Sequence, residues 1–231
     1  MRKAASSVAL ALGLTLVAGA AHAVPVSFTK LTGLTGGTLA GTAVYKADLS
    51  SLIAAIQSIS ITDSDSMLGG AAGQFSGFDL DAIKLSTTDC ADAACAAAAV
   101  GLSVFDFSSA GMAFTPGTQR PPVDPKLFGT DAAGTSIDNL VATLGLFDAE
   151  STTAIPGAFG FVSLGDGGSV AFNLTSLTST AGLFLYIGEV GDNGEVAAGT
   201  ITVSDQPVPE PTTLLMVGTG LGLLRLRRRA S

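Results

Sequence analysis

Histidine is almost absent from this 231-residue chain, because His22 is the only one. The sequence therefore offers no Ser-His-Asp or Cys-His catalytic set and no site built on several histidine metal ligands. Tryptophan is missing, and Tyr45 and Tyr186 are the only tyrosines. Sugar-binding proteins usually stack an exposed aromatic ring on the apolar face of the sugar. That platform would here fall to a tyrosine or to one of the 12 phenylalanines.

Positive charge is concentrated at the two ends of the chain. Six of the 11 basic residues lie at positions 2, 3, 225 and 227–229. The rest of the chain keeps five basic residues against all 19 acidic ones, so the formal net charge of −8 becomes −14 without the ends. A domain this acidic repels nucleic acid, because it has no basic patch to neutralise phosphates. It would attract cations, and Ca²⁺ is the first candidate.

The first 23 residues have the pattern of a secretory signal peptide. Arg2 and Lys3 precede an apolar stretch over residues 8–20, and Ala21-His22-Ala23 follows as an A-x-A cleavage site. This arrangement predicts a cut after Ala23. The alternative is an uncleaved N-terminal membrane anchor, and the small residues around His22 argue against it.

The last 24 residues, 208–231, form a second distinctive segment. Pro209-Glu210-Pro211-Thr212 is followed by an apolar run over residues 214–224 and by four arginines. The prolines prevent a helix or central strand from running through this point. Residues 212–224 as a helix would measure about 20 Å, against a hydrocarbon core of about 30 Å. We expect a short transmembrane helix that includes Leu226. The alternative is a permanent anchor, for which three interrupting glycines are poorly suited.

The order of motif, apolar segment and basic tail resembles the PEP-CTERM sorting signal of Gram-negative bacteria. The match falls on Pro209, Glu210 and Pro211, with Thr212 where the family usually has Ser or Thr. The resemblance implies that a membrane-embedded exosortase reads the signal, cuts near the motif and passes the protein outward. It also implies a link with exopolysaccharide and biofilm. It covers only residues 208–231.

Export is predicted from both ends independently. Positive residues stay on the cytoplasmic side of apolar segments, and they flank both segments here on the side that would remain inside. Residues 24–207 are therefore expected outside the inner membrane, transiently anchored and then at the cell surface or extracellular.

The body, residues 24–207, is predicted to be all-β. Short alternating strands separated by glycine-rich turns are typical of an antiparallel β-sandwich, here expected to be jelly-roll-like. The turns at 165–168 and 191–195 indicate β-hairpins. Residues 102–107 are predicted as a core strand, and residues 139–147 alternate only weakly. The break in alternation at Ile83 indicates a bulge or a shift in burial, and the alanine-rich stretch 91–100 favours one short helix.

Cys90 and Cys95 are the only cysteines. In an exported protein they are expected to form a disulfide. Closing so short a loop would contribute roughly 2 kcal/mol in the loop-entropy account. If the bridge forms, residues 91–94 should be a loop or distorted turn. Two cysteines without histidine do not make a zinc site.

Three pairs of acidic residues are close in sequence: Asp63 with Asp65, Asp79 with Asp81, and Asp192 with Glu195. Asp63, Asp65, Asp79 and Asp81 are candidate Ca²⁺ ligands, although residues 63–66 lack the glycine and distal glutamate of an EF-hand loop. Paired carboxylates could also hydrolyse glycosidic bonds. A solvated sheet face is the favoured interpretation of Asp79 and Asp81.

The sequence therefore predicts an exported, non-enzymatic surface or matrix protein without a cofactor. A carbohydrate-binding module is the first alternative, and a carboxylate-dependent glycoside hydrolase is the second. The position of the C-terminal cut, within residues 207–212, stays open at this point.

Overall fold

A computed structural model of the protein describes residues 22–37, 41–67, 71–148, 160–195 and 199–208. Within these ranges the chain is mostly β structure in two antiparallel sheets, with two short α-helices and one 3-10 turn. The all-β prediction is confirmed. The Pro209–Thr212 motif, the apolar segment after it and residues 1–21 lie outside the described ranges. No helix among the described residues is long and apolar enough to span a bilayer.

The first sheet contains five strands in the order β1-β11-β5-β9-β7. Their bounds are β1 Ala23–Pro25, β5 Ala55–Thr62, β7 Met112–Thr115, β9 Ser169–Ser179 and β11 Thr200–Ser204. The second sheet has the order β2-β4-β10-β6-β8, with a further short strand, β3, paired to β4. Its bounds are β2 Thr29–Lys30, β3 Thr35–Gly36, β4 Gly41–Asp48, β6 Asp79–Ser86, β8 Val162–Ser163 and β10 Phe184–Val190.

From β4 to β11 each strand lies in the opposite sheet from the strand before it. Both predicted hairpins are therefore wrong. The turn at 165–168 joins β8 of the second sheet to β9 of the first, and the stretch after β10 leads to β11 of the first sheet. The glycines reverse the chain as expected, but they carry it across the core and not back along the same sheet.

One hydrophobic cluster is shared by the two sheets, which gives the body a sandwich-like arrangement. Ile59 and Phe172 of the first sheet belong to the same buried cluster as Leu85, Leu185 and Ile187 of the second. These side chains follow the period of two that places alternate residues of a strand on one face. Each such side chain contributes about 1.5–3 kcal/mol when fully buried.

The short helices begin at aspartate caps. In α1, Ala93–Ala98, the Asp92 side chain accepts the N–H of Cys95 at 2.7 Å. In α2, Asn139–Ala142, Asp138 accepts the N–H of Leu140 at 3.1 Å. The weak alternation over 139–147 thus does not correspond to a strand, because the Asp138 cap starts a helical turn. The strand predicted over 102–107 is wrong, with Phe105 making only an isolated bridge to Leu174.

The bulge predicted in β6 is confirmed. Ile187 of β10 pairs with Ile83, but Glu189, two residues on, pairs with Leu80, three residues back along β6. One additional residue in β6 breaks the alternation of its side chains. This irregularity lies beside Asp79 and Asp81.

Candidate functional site

The chain leading to the predicted sorting motif is attached to the body. Val208 is the last described residue before Pro209, and its N–H donates to Asn173 Oδ1 at 2.7 Å. Asn173 Nδ2 donates in return to the Val208 carbonyl at 3.0 Å. Two residues earlier, the hydroxyl of Ser58 donates to the Gln206 carbonyl at 2.7 Å.

The N-terminal end of the described body lies beside the C-terminal end. Ala23 pairs with Ser204 and Val24 with Val203 in the β1–β11 ladder. The His22 N–H reaches Asp205 Oδ1 at 3.2 Å. Both segments that carry the predicted targeting signals therefore meet the first sheet in one cross-strand row, the N-terminal one at Ala23 beside Ser204 and the C-terminal one at Val208 beside Asn173 of β9.

A group of buried acids lies at the start of β6. The backbone N–H of Asp79 donates to Glu195 Oε2 at 3.1 Å, and the Ser163 hydroxyl donates to Asp79 Oδ1. Asp79 is 5% exposed and Glu195 is 3% exposed. The next acid of the strand, Asp81, is also buried and accepts the Thr42 hydroxyl at 2.7 Å.

Glu189 organises the turn that follows β10. Its Oε1 accepts three backbone N–H groups, from Asn193 at 2.9 Å, Gly194 at 2.6 Å and Glu195 at 3.0 Å. The Tyr45 hydroxyl also bonds to this carboxylate, and burial together with the Glu189 charge raises the pKa of Tyr45. The turn at 191–195 is thus held by a buried carboxylate from the preceding strand.

Arg120 is the basic group next to these acids. Its Nε lies 3.3 Å from Asp166 Oδ2, and Asp166 is buried. Asp63 belongs to the same region, because its Oδ2 accepts the N–H of Asp65 and of Gly167, each at 2.9 Å. The Arg120 charge favours the ionised form of Asp79, Asp166 and Glu195.

Burial nonetheless raises the pKa of several of these acids. Desolvation, reinforced by the Glu189 and Asp63 charges, raises the pKa of Glu195 to about 8. Desolvation and the neighbouring Glu195 raise the pKa of Asp79 well above its usual range. Burial also raises the pKa of Asp166 against the opposing effect of Arg120. Removing a carboxylate from water disfavours its charged form, which explains the common direction.

The interpretation of Asp79 and Asp81 as a solvated sheet face is wrong, because both side chains are buried. The bulge and the neighbouring Ser163 and Glu195 cover this face. Within the described residues no three His, Cys, Asp or Glu side chains are arranged to hold a metal ion. The Ca²⁺ assignment to Asp63, Asp65, Asp79 and Asp81 therefore stays a sequence-based prediction.

Asp79 and Glu195, the two acids brought together here, do not have the access to substrate that a glycosidase needs. Two catalytic carboxyl groups must flank the glycosidic bond, but Asp79 and Glu195 are shielded from solvent in this fold. The Asp79–Glu195 pair can instead retain a proton at neutral pH, because two adjacent buried carboxyl groups cannot both ionise at low cost.

Cys90 and Cys95 form a disulfide, with their Cα atoms 5.5 Å apart. Cys90 precedes the Asp92 cap in extended chain, and only Cys95 lies in α1. The bridge and the helix therefore coexist, and the expectation that residues 91–94 form only a loop is wrong at Ala93 and Ala94. The Cys90 N–H also donates to the Tyr186 hydroxyl at 2.9 Å.

Neither tyrosine is available as a sugar-stacking platform. Tyr45 is 6% exposed and Tyr186 is fully buried. The requirement for an exposed aromatic at Tyr45 or Tyr186 is thus not met. Both hydroxyls have partners inside the body, as buried tyrosines usually do.

Two phenylalanines do line an open groove. Phe105 and Phe107 stack with ring centroids 5.5 Å apart and planes 8° from parallel, and both are half-buried. The groove has a volume of about 520 Å³ and is also lined by Leu102 and Leu146. The strand predicted over residues 102–107 would place the two rings in the core. The chain is irregular there, and both rings lie at the margin of the core.

Several residues of these sites were missed by the sequence reasoning: Asn173, Ser163, Asp166, Glu189 and Arg120. Each acts through a partner more than 30 positions away or through a turn whose course depends on the sheets. The Glu189–Glu195 spacing could have indicated a carboxylate that caps a glycine turn. The chain matches no family model, no curated protein and no solved structure.

Proposed function

We propose that this protein is an exported, non-enzymatic component of the cell surface or extracellular matrix. The C-terminal Pro209-Glu210-Pro211-Thr212 motif, the apolar segment and the arginine tail would direct its processing by an exosortase. In this proposal the inner membrane is a transient partner and exopolysaccharide is the matrix in which the body acts.

The observation that supports this proposal most is the position of the chain ends in the fold. Ala23 pairs with Ser204, and Val208 is bound to Asn173 in the same cross-strand row, so the two proposed targeting segments join the body at the same end of the first sheet. A body whose two ends leave one end of a sheet can be held by both segments at one membrane surface without unfolding. The Cys90–Cys95 disulfide also suits an oxidising compartment.

The finer fold belongs to the same proposal. We propose a jelly-roll-like sandwich, because successive strands from β4 to β11 alternate between two sheets that share a core. The proposed C-terminal transmembrane helix depends on the sequence pattern of residues 212–226 alone.

The test is mass spectrometry of the protein recovered from its native host, combined with cell fractionation. The proposal expects a mature chain that begins at Val24, ends near the Pro209–Thr212 motif and is found outside the inner membrane. Changing Glu210 to Ala should leave the tail attached and the protein in the membrane fraction. Full-length protein in the cytosol with both ends intact would contradict the proposal.

Glycan binding at the groove beside Phe105 and Phe107 is the second candidate. The parallel ring pair at an open surface favours it, since aromatic faces can cover the apolar face of a sugar. Binding of the purified protein to a panel of bacterial polysaccharides would be measured. Phe105→Leu and Phe107→Leu should each abolish binding while keeping the site apolar, and Leu140→Ala, at an exposed position outside the lining, is the control.

A further inference from the structure

Residues 205–208 do not continue away from the body after β11. Ser204, the end of β11, pairs with Ser58 of β5, and Ser58 in turn pairs with Asn173 of β9. The chain is next held by Ser58 at Gln206 and by Asn173 at Val208. Within four residues it therefore crosses from β11 over β5 to β9.

The Asn173 side chain pairs with Val208 as a neighbouring strand would. Its amide oxygen accepts the Val208 N–H at 2.7 Å, and its amide nitrogen donates to the Val208 carbonyl at 3.0 Å. A side-chain amide has the same donor and acceptor as a peptide group, so one asparagine satisfies both backbone groups of the residue. The contact is partly buried, which limits competition by water.

The surrounding prolines make this contact specific to Val208. Pro207 and Pro209 have no N–H, so Val208 carries the only backbone donor of residues 207–209. A residue that precedes proline also favours an extended backbone. Gln206 and Val208 both precede prolines, and the segment is therefore biased toward the extended form that Asn173 and Ser58 bind.

We propose that Asn173 is a positioning residue that fixes the C-terminal processing site beyond Val208. The inference rests on the proposed sorting function and specifies where in the chain the peptidase acts. A peptidase must take the carbonyl oxygen of the bond that it cuts into its own hydrogen-bond donors. The Val208 carbonyl is already bound to Asn173 and the Gln206 carbonyl to Ser58, so the bonds after these two residues are not available while the contacts hold. The bond between Pro207 and Val208 lies between the two bound residues and cannot leave the body to enter a peptidase.

The first peptide bond beyond the segment held by these contacts is then the one that follows Pro209. In the cut, water or an amine adds to the carbonyl carbon of the upstream residue and the C–N bond breaks. The downstream nitrogen leaves with a proton as an amine, and the upstream end becomes a carboxylate or an amide. The released body would keep Val208 bound to Asn173.

The docking is tested on full-length protein purified in detergent, with a broad-specificity protease and mass spectrometry of the trimmed product. Wild type should be trimmed no further than Pro209, because the bond after Val208 is protected by Asn173. Asn173→Ala should be trimmed into residues 205–207, and its Val208 amide should exchange hydrogen about fivefold to tenfold faster, as expected for one lost hydrogen bond. Asn173→Asp, which keeps only the acceptor, should fall between them.

Two further variants separate docking from general loss of structure. Ser58→Ala should loosen Gln206 without altering β9, and Thr175→Ala, on the exposed part of β9, should behave as wild type. Trimming of wild type to residue 208 or earlier, or equal Val208 exchange in wild type and Asn173→Ala, would overturn the inference.

Mass spectrometry in the native host distinguishes this inference from the sorting proposal. A mature chain that ends at Pro209 or later in wild type, and at additional earlier positions in Asn173→Ala, would support both. A processed wild-type chain that ends at 208 or earlier would overturn the positioning role alone. An intact tail would contradict the sorting proposal, and the assigned processing site with it, even where the protease experiment shows docking.

Discussion

The backbone N–H of Asp79 donates to Glu195 Oε2 at 3.1 Å and joins two acids 116 positions apart in the chain. Both side chains are shielded from water, and the pKa of each carboxyl group is raised, first by burial. The nearby Glu189 charge acts in the same direction, and Arg120 opposes it. The fold therefore retains a proton in this region at pH values where free carboxylic acids have lost theirs.

The free energy of unfolding should fall between pH 5 and pH 8. Glu195 has an ordinary pKa of 4.5 and a pKa of about 8 in the fold, so the folded state binds the proton more tightly than the unfolded state. This stabilisation is complete below the unfolded value and is lost as the pH rises through the folded value. Glu195→Gln cannot ionise and should be more stable than wild type at pH 8, by on the order of 2–4 kcal/mol.

The measurement is urea unfolding at several pH values. Asp106→Asn is the control, since Asp106 is only partly buried and hydrogen bonds from Ser108 lower its pKa, which leaves it ionised in both states throughout this range. The raised pKa of Glu195 would be contradicted if the free energy of unfolding of wild type did not decline toward pH 8. It would also be contradicted if the free energy of unfolding changed with pH equally in Glu195→Gln and in wild type.

Glu189→Ala should destabilise the body strongly. Three backbone N–H groups, from residues 193–195, would lose their shared acceptor. One of these donors is in a buried contact and two are in partly buried ones, and leaving all three unsatisfied costs about 3 kcal/mol or more. Glu189→Gln keeps an acceptor oxygen and should cost less. Asp192→Asn removes the exposed ion pair to Lys30 in the same turn and should change stability by under about 1 kcal/mol. Equal losses for Glu189→Ala and Asp192→Asn in chemical denaturation would show that Glu189 does not hold the turn.

The all-β class could be predicted from the sequence because the alternation of apolar and polar residues is a local pattern. Sheet membership could not. The turns at 165–168 and 191–195 carry the glycines of a hairpin, but a glycine turn only reverses the chain. Whether the next strand pairs with the previous one or crosses to the other sheet depends on which apolar face it must cover. Here the alternating connection places Val170 and Ile201 opposite the second sheet in the shared core.

The acid group could be predicted only in part. The sequence shows Asp63 with Asp65, Asp79 with Asp81 and Asp192 with Glu195 as close pairs, but nothing in it brings members of different pairs together. The burial of Asp79 and Glu195 depends on Ser163, on the β6 bulge and on the turn held by Glu189. These are long-range features, and strand alternation alone places Asp79 on a solvent face.

Removing the disulfide should weaken α1 more than the sheets. Cys90→Ala combined with Cys95→Ala frees a short loop and should cost about 2 kcal/mol. Cys90 packs with Val44, Tyr186 and Ala93, so some packing is also lost. The rate of amide hydrogen exchange should rise first in residues 92–98, because without the disulfide the start of this helix is held only by the Asp92 cap. Asp92→Ala with the bridge intact is the comparison and should cost about 1 kcal/mol. A uniform rise in exchange across β4 and β10 would show that the bridge supports the whole core.

Gly77→Ala should be far more damaging than Gly182→Ala, although both glycines have a positive φ, of 74° and 63°. A left-handed backbone costs an alanine about 1–2 kcal/mol wherever it occurs, and that is the expected loss at Gly182, where nothing lies within 4 Å of an added Cβ. At Gly77 the Cβ would come within 2.3 Å of the Gly165 backbone. That backbone is fixed by the N–H of Gly165 donating to Ser76 at 2.9 Å, so it cannot move aside without breaking the contact between the start of β6 and the end of β8. We expect a loss of about 3 kcal/mol or more for Gly77→Ala, measured as the difference in urea unfolding from wild type. Equal losses at the two positions would mean that backbone strain alone is felt and that the close approach of residues 77 and 165 does not occur.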